Sequence, residues 1–385
     1  YWRYVTEALR SAADDHGFAL ALLPGDDRPD PGLAPFCTVA PGDCDALWSF
    51  LREGGADNAR GFLDACDDLI AGRPIEGAAT PLLKAGVWAA ARPHPEVRAD
   101  TRRPSRLAAL APQDEEMCVR VEGEGLAAIV FYRALVQSGQ TAPVEMLAEA
   151  LAARGMAVTP IYVSSLKDDV SAATVERLFD KAPPDIVVNM TGFAVSAPGG
   201  ARVPTVLEAT GAPVLQAVLA GLPQEVWEAS TQGLTARDLA MNVALPEVDG
   251  RVLSRAVSFK AAETWDAATQ ANIVSHRPVP DRIAFVADLA ANWARLRRSP
   301  AAERRVAIVL ANYPNRDGRL ANGVGLDTPA GTVEVLRAMR AAGYDVGEFP
   351  ADGDALIDHL KAEPTNAATD GREVRETISL NQYKA

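Results

Sequence analysis

The chain has 385 residues, of which 48% are hydrophobic and 23% charged, as in a globular protein of two or three domains. Its formal net charge of −13 argues against a nucleic-acid partner or insertion at an anionic membrane, since such sites need clustered lysine and arginine. The four cysteines show no Cys-x-x-Cys spacing, which argues against a disulfide framework or a zinc site and favours the cytoplasm. No apolar run approaches the roughly 20 residues that span a bilayer.

Residues 1–118 predict a partial N-terminal region that is α/β and helical. The patterns indicate helices at 4–15, 45–51 and 61–70 and a strand at 18–23. Residues 92–116 combine several prolines with many charges and no periodicity, which is typical of a linker. Because the chain starts at Tyr1 without a methionine and stops just after a new helical pattern begins, we expect a fragment of a longer polypeptide.

Residues 119–300 predict a doubly wound α/β domain. Apolar strands are expected at 126–132, 158–163, 185–190 and 213–217, with helices at 141–154, 172–181, 204–210 and 280–297 between and after them. Two more strands are expected at 239–245 and 252–259, around a turn at Asp249-Gly250. Apolar strands that alternate with helices indicate a parallel sheet covered on both faces, in a Rossmann-like or flavodoxin-like arrangement.

Residues 301–385 predict the start of a further α/β unit, so the whole chain is expected to be multi-domain. A strand at 306–310 is followed by a long loop, a helix at 329–342 and a strand at 344–349. A loop as long as residues 312–329 is usually functional or disordered, and its capped end favours function. Its candidate binding residues are Asn312, Asn322, Asp327 and Thr328.

Several catalytic motifs are absent. No lysine follows a glycine, so the chain has no phosphate-binding P-loop. Gly123-Glu124-Gly125 precedes its strand, whereas a dinucleotide fingerprint follows one, so we reject that interpretation. The four histidines have no partner at metal-ligand spacing and are expected to be structural or exposed, which leaves any metal ligands unknown.

Polar residues follow three of the predicted parallel strands. They are Tyr132, Arg133, Gln137, Ser138, Gln140 and Thr141 after the first, Ser164 and Ser165 after the second, and Asn189, Thr191 and Gly192 after the third. The carboxyl ends of parallel strands meet at one edge of the sheet, where such sheets bind ligands, and helix N-termini favour carboxylates. The residues therefore predict a small-molecule site, although ordinary βα loops have similar compositions.

Four stretches resemble the CobN family of large cobaltochelatase subunits: residues 131–139, 161–167, 243–250, and 311–316 together with 327–329. The segments Thr191-Gly192-Phe193 and Ala244-Leu245-Pro246-Glu247 are similar, more loosely, to the large subunit of magnesium chelatase. Members of these families are much longer, so the resemblance also implies a fragment.

The resemblance implies an ATP-dependent ligase that forms nitrogen–metal bonds by inserting Co²⁺, as substrate, into hydrogenobyrinic acid a,c-diamide in cobalamin biosynthesis. AAA+ partner subunits would hydrolyse ATP with Mg²⁺, which agrees with the missing P-loop. The polar residues named above would bind carboxylate and amide arms of the ring. Glu247, ahead of Asp249, would take a proton from the ring, because each follows an apolar segment.

Other functions stay open. The chain could belong to a protein like the magnesium chelatase large subunit, or it could be a non-catalytic α/β small-molecule binding module with two lobes. A third possibility is a scaffold on which the ATPase docks. Binding of a metal-free corrinoid would separate a ring-binding subunit from a generic binding module or a scaffold.

Overall fold

The structure is a computed structural model that describes residues 2–88, 125–197, 199–268, 270–311, 319–365, 371 and 377–384. Two compact units are present, Tyr1–Arg295 and Leu296–Ala385. The predicted linker at 92–116, the domain boundary at 118 and the candidate residue Asn312 lie outside the described residues. The division into three domains therefore stays a prediction. None of the helices among the described residues is both long and apolar enough to cross a membrane.

One seven-stranded sheet organises the first unit. Its strands are β1 (Ala85–Val87), β2 (Gly125–Tyr132), β3 (Met156–Val163), β4 (Ile186–Asn189), β5 (Val214–Ala220), β6 (Val252–Asp266) and β7 (Ala271–Pro278), in the order β1-β3-β2-β4-β5-β6-β7. Strands β2 to β6 are parallel, and β1 and β7 pair antiparallel at the two edges. Numbered along the chain, the five parallel strands have the order 2-1-3-4-5 of flavodoxin-like sheets. The predicted α/β class is confirmed.

Helices cover both faces of the sheet. Helices α5 (Ala142–Ala152) and α10 (Pro280–Arg298) pack on one face, and α6 (Asp169–Lys181) packs on the other. The short helices α4 (Arg133–Gln137) and α7 (Gln224–Ala229) follow β2 and β5. Successive side chains of a strand point to opposite faces. In β2, Ala127, Ile129 and Phe131 accordingly belong to the core of the first face, and Ala128 and Val130 to the core of the second. Burial on both faces explains why this strand is continuously apolar.

The N-terminal residues form helices α1 (Trp2–His16), α2 (Pro41–Glu53) and α3 (Ala56–Ile70). These confirm three helical predictions with longer bounds. The strand predicted at 18–23 is wrong. This segment lies beside residues 37–39, where the Thr38 amide donates to the Leu20 carbonyl, but it forms no ladder. Leu47, Phe50 and Ala65 form a small core between α2 and α3.

The strand predicted at 239–245 is also wrong. The chain there forms α8 (Ala236–Leu239), a π-helix (Ala240–Ala244) and α9 (Leu245–Val248) in direct succession. The Thr235 hydroxyl accepts a hydrogen bond from the Asp238 amide and so begins the helix. A short apolar run is compatible with a strand or a buried helix, and periodicity does not separate them. The following predicted strand is confirmed as β6, which pairs with the unpredicted β7.

The second unit contains α11 (Thr328–Ala341), α12 (Gly353–Ala362) and the short α13 (Leu380–Lys384). The carboxylates of Asp327 and Asp352 accept hydrogen bonds from amides in the first turns of α11 and α12. The strands predicted at 306–310 and 344–349 are wrong, since both described segments are irregular. Val306 and Val309 are exposed, and no strand among the described residues includes them.

Candidate functional site

The candidate site lies at the carboxyl edge of the parallel strands, where β2 and β4 are neighbours. The connection from β2 to β3 carries α5 on one face, and the connection from β3 to β4 carries α6 on the other. The two connections leave a crevice outside the ends of β2 and β4, which is where doubly wound sheets bind ligands. Tyr132 ends β2, and Asn189 ends β4. Two adjoining pockets open here.

The larger pocket has a volume of about 540 Å³ and lies between the sheet edge and the N-terminal residues. Residues 24–27, Trp48 and Arg52 form one wall. The Trp48 indole Nε1 donates to the Asp26 carbonyl at 3.2 Å, and the Arg52 guanidinium lies 5.1 Å from the indole ring centroid. These contacts fix the aromatic wall. The volume falls within the usual range for small-molecule sites, roughly 300–1,000 Å³.

Two of the predicted binding residues hold this wall on the sheet. The Arg133 guanidinium donates to Glu53 Oε2 at 3.0 Å and to the carbonyls of Leu82 and Leu83 at 2.9 and 3.1 Å. Gln137 Nε2 donates to the Arg52 carbonyl at 2.7 Å. Both side chains also line the larger pocket. They shape the cavity and at the same time use several of their donors on the protein itself.

The smaller pocket has a volume of about 100 Å³ and adjoins the larger one at Tyr132, which lines both. Its other polar lining residues are Ser165, Lys167, Thr191 and Arg251. The Tyr132 hydroxyl donates to the Gly192 carbonyl at 3.0 Å. Burial raises the pKa of Tyr132, and the nearby Arg251 charge opposes the rise more weakly. The phenol therefore stays protonated at neutral pH.

The loop after β4 has a strained backbone at the rim of the smaller pocket. Phe193 has a positive φ of 61°, and its amide donates to the Met241 carbonyl in the π-helix at 2.7 Å. A Cβ added to Gly192 would lie 2.8 Å from Asn242 Oδ1, so only glycine fits there without displacement. Strain and π-helical turns both concentrate at functional sites.

A buried amide and hydroxyl network fixes the end of β4. Asn189 Nδ2 donates to Gln216 Oε1 at 2.7 Å, and the Thr191 hydroxyl donates to Asn189 Oδ1 at 2.9 Å. The Thr191 carbonyl accepts from both Asn189 and Gln216. Asn189 thus positions the loop and does not line either pocket.

A buried ion pair holds the same loop from the other side. Asp249 accepts hydrogen bonds from the amides of Val195 and Ser196 at 2.7 and 3.0 Å, and from Arg251 Nη2 at 3.0 Å. Arg251 Nη1 lies 3.4 Å from the Thr191 carbonyl. Burial lowers the pKa of Arg251 from its ordinary value, and Asp249 opposes that shift. The Asp249 carboxylate is therefore engaged in three contacts with the protein.

Glu247 has a different environment. It lies on α9, its side chain is exposed, and it lines neither pocket. The premise that it follows an apolar strand is wrong, because the segment before it is helical. Catalysis by Glu247 or Asp249 stays a prediction.

The remaining predicted residues divide between the crevice and other places. Ser164 lines the larger pocket, and Ser165, Thr191 and Gly192 line the smaller one. Three others bond to the protein and line neither pocket: Ser138 donates to the Ala134 carbonyl, Gln140 to the Val274 carbonyl and Thr141 to Glu145. Asn322, Asp327 and Thr328 belong to the second unit.

The structure adds residues that the sequence did not single out. They are Trp48 and Arg52 in the larger pocket, Lys167 and Phe193 in the smaller one, and the buried Arg251. Lys167 and Phe193 lie in loops that follow predicted strands, and this position in the sequence is a usable signal. Within the described part of the chain, no three His, Cys, Asp or Glu side chains are grouped closely enough to hold a metal ion.

Comparisons with known proteins show similarity to cobaltochelatase subunits. A family model described as CobN/Magnesium Chelatase matches residues 48–385. The whole chain is 58% identical to the aerobic cobaltochelatase subunit CobN of a Sinorhizobium species and 37% identical to that of Pseudomonas aeruginosa, and covers 30% of each. The catalytic subunit of cobaltochelatase from Mycobacterium tuberculosis has a similar structure, with a TM-score of 0.71 and 29% identity over 94% of this chain and 28% of that one.

Proposed function

Because the chain belongs to the CobN/magnesium chelatase family, we propose that it forms part of the ring-binding subunit of an ATP-dependent cobaltochelatase. In this proposal the complete enzyme inserts Co²⁺ into hydrogenobyrinic acid a,c-diamide during cobalamin biosynthesis. The chain spans about 30% of the length of the cobaltochelatase relatives it matches. It would therefore contribute one portion of the binding surface. A cytoplasmic location is part of the same proposal.

The observation that carries the proposal is the crevice at the carboxyl edge of the sheet. Its larger pocket, at about 540 Å³, has room for an edge of a macrocycle and presents an indole beside polar groups. A corrin precursor combines an apolar ring with carboxylate and amide arms. The indole of Trp48 suits the ring, and the donors of Arg52, Tyr132 and Ser164 suit the arms.

Metal insertion requires a group that accepts a proton from a ring nitrogen as the ion enters. A carboxylate can do so as a general base and can also take the place of a water molecule on the ion. Of the two candidates, Glu247 is exposed and accessible to a ligand, whereas Asp249 is held by Arg251 and two amides. Glu247 is therefore the proposed base, ahead of Asp249.

The proposal is tested by titrating the chain with metal-free hydrogenobyrinic acid a,c-diamide and following the visible absorption of the ring. We expect saturable binding, and weaker binding of a porphyrin with the same number of carboxylates. A stronger affinity for the porphyrin would support a magnesium-chelatase-like function, and no binding of either ring would favour a scaffold or another small-molecule site.

The catalytic step is tested with Glu247→Gln in the complete subunit with its partners. Loss of a positioned general base costs about 100- to 10,000-fold in rate. We expect unchanged ring affinity and a loss of cobalt insertion of that order. Insertion within about threefold of the parent rate would remove Glu247 from the mechanism.

ATP hydrolysis is assigned to AAA+ partner subunits, with Mg²⁺ bound to their nucleotide. The supporting observation is that no lysine in the chain follows a glycine, so a P-loop is missing. Calorimetry on the chain alone should show no tight binding of Mg-ATP. Micromolar binding of Mg-ATP by the chain alone would contradict the assignment of ATP hydrolysis to the partner subunits.

A further inference from the structure

The smaller pocket carries positive charge in an acidic protein. Lys167 and Arg251 both line it, and none of its lining residues is a carboxylate. The Asp249 carboxylate behind the pocket pairs with Arg251. Counting Lys167, Arg251 and Asp249 leaves one net positive charge at the pocket, whereas the whole chain carries −13. The local charge therefore favours an anion.

Arg251 has one donor, Nε, for which the described residues supply no acceptor. The residue is 3% exposed, and its Nε has no hydrogen-bond partner among the described residues. Nη2 bonds to Asp249, and Nη1 makes one long contact with the Thr191 carbonyl. A buried guanidinium donor without an acceptor is unfavourable, so such groups in native proteins call for an explanation. Arg251 lines the smaller pocket, so an anion bound there would lie next to this incompletely paired guanidinium.

The pocket also limits the size of that anion. A volume of about 100 Å³ accommodates a carboxylate and one or two methylene groups, and it is too small for the macrocycle. Tyr132 and Ser165 place hydroxyl groups in the lining. The Lys167 side chain is exposed and makes no hydrogen bond or ion pair to a described residue, so its ammonium is free to approach a ligand.

We infer that the smaller pocket binds one carboxylate of the ring's side arms, with Arg251 and Lys167 as its charge partners. The inference rests on the proposed function, because it assigns the carboxylate to the macrocycle whose body occupies the larger pocket. Tyr132 lines both pockets, so an arm that leaves the ring beside Tyr132 enters the smaller pocket directly. Arginine and carboxylate are well matched in geometry and charge.

The test compares two metal-free rings, hydrogenobyrinic acid with free carboxylates and the same ring with every carboxylate amidated. We expect the parent chain to bind the free acid about tenfold more tightly. Lys167→Gln should lower affinity for the acid about three- to tenfold and leave affinity for the amide within about twofold, as expected when one charge-assisted contact is lost. Arg251→Lys should lower acid affinity further, because lysine offers no planar fork.

Lys181→Gln is the matched control, since it makes the same charge change at the end of α6, just before the amino end of β4. It should leave both affinities unchanged. Equal binding of the two rings by the parent, with no effect of Lys167→Gln, would overturn the carboxylate site and leave ring binding intact. Lys167 is exposed, so this variant stays informative even if Arg251→Lys does not fold.

Acetate tests the smaller pocket independently of binding of the macrocycle. At constant ionic strength, replacing chloride with acetate should raise the melting temperature of the parent and of Lys181→Gln more than that of Lys167→Gln. No difference between the variants would overturn the inference. If neither ring binds but acetate shows this difference, the proposed function fails, and the pocket is a site for small free carboxylates.

Discussion

Removing the Asp249 carboxylate should destabilise the protein strongly, because its charge and its hydrogen bonds are all internal. The side chain is 0% exposed and pairs with Arg251, whose side chain is 2% exposed. Breaking a buried ion pair from one side costs about 3–5 kcal/mol, since the other charge stays buried. Asp249→Ala also removes the acceptor of the Val195 and Ser196 amides, each worth about 1–3 kcal/mol.

These contributions share one carboxylate and do not add in full. We therefore expect a loss of about 4–6 kcal/mol, a large fraction of a typical stability of roughly 5–15 kcal/mol. The assay is urea unfolding followed by far-ultraviolet circular dichroism.

Two further variants make the reasoning refutable. Glu247→Ala removes a carboxylate two residues away that is exposed, so it should change the unfolding free energy by less than about 0.5 kcal/mol. The double variant Asp249→Ala/Arg251→Met should recover part of the loss, because no unpaired charge then remains buried. If Asp249→Ala lies within about 1 kcal/mol of the parent, the carboxylate is not the internal anchor described above.

The strained loop and a half-buried histidine allow two other predictions. Phe193→Gly should stabilise the fold, because a positive φ costs about 1 kcal/mol in a non-glycine residue. The same change should weaken binding of the macrocycle, because it removes the exposed phenyl group at the rim of the smaller pocket. A thermal melt measures the change in stability, and the absorption titration measures the change in affinity for the macrocycle. A variant that is less stable than the parent but binds the macrocycle equally tightly would contradict both expectations. Burial, aided by Lys260, lowers the pKa of His276, so the unfolded chain binds the proton first as the pH falls below about 6.5. Stability should therefore fall with pH in that range, and His276→Gln should flatten the urea midpoints between about pH 6.5 and 5; parallel curves for parent and variant would refute this.

The central strands were predictable because each contains an apolar run of strand length between helical patterns. A run such as residues 126–132, apolar at every position, fits only a strand or helix buried on both sides, and its length favours a strand. Helix α5 is marked by Pro143 in its first turn and Gly155 after its end. Strand β7 carries exposed and polar residues at an edge and is stabilised by pairing with β6, so no local pattern indicates it.

The candidate site was predictable only in part. Tyr132, Ser165 and Thr191 follow strands, and strand ends can be located in a sequence. Arg251 also lies next to a strand, but its burial depends on Asp249 and on a loop more than 50 residues earlier. Trp48 reaches the crevice from a helix far upstream. Such positions depend on contacts between distant segments, for which a single sequence carries no local signal.

The wall of the larger pocket is joined to the sheet by contacts of long sequence separation. Gln137 Nε2 donates to the Arg52 carbonyl across 85 residues, and Arg133 reaches Glu53 across 80. Closing such long segments costs more entropy than the pairing of β2 with β3, so these contacts should form late in folding. The same contacts should then be among the first to open in the native state. The amide of Gly55, which donates to the Gln137 carbonyl between the wall and the sheet, should exchange with deuterium before the amide of Met190, which donates to Val130 in β2. A large planar ligand could thus be admitted by local opening while the sheet stays folded.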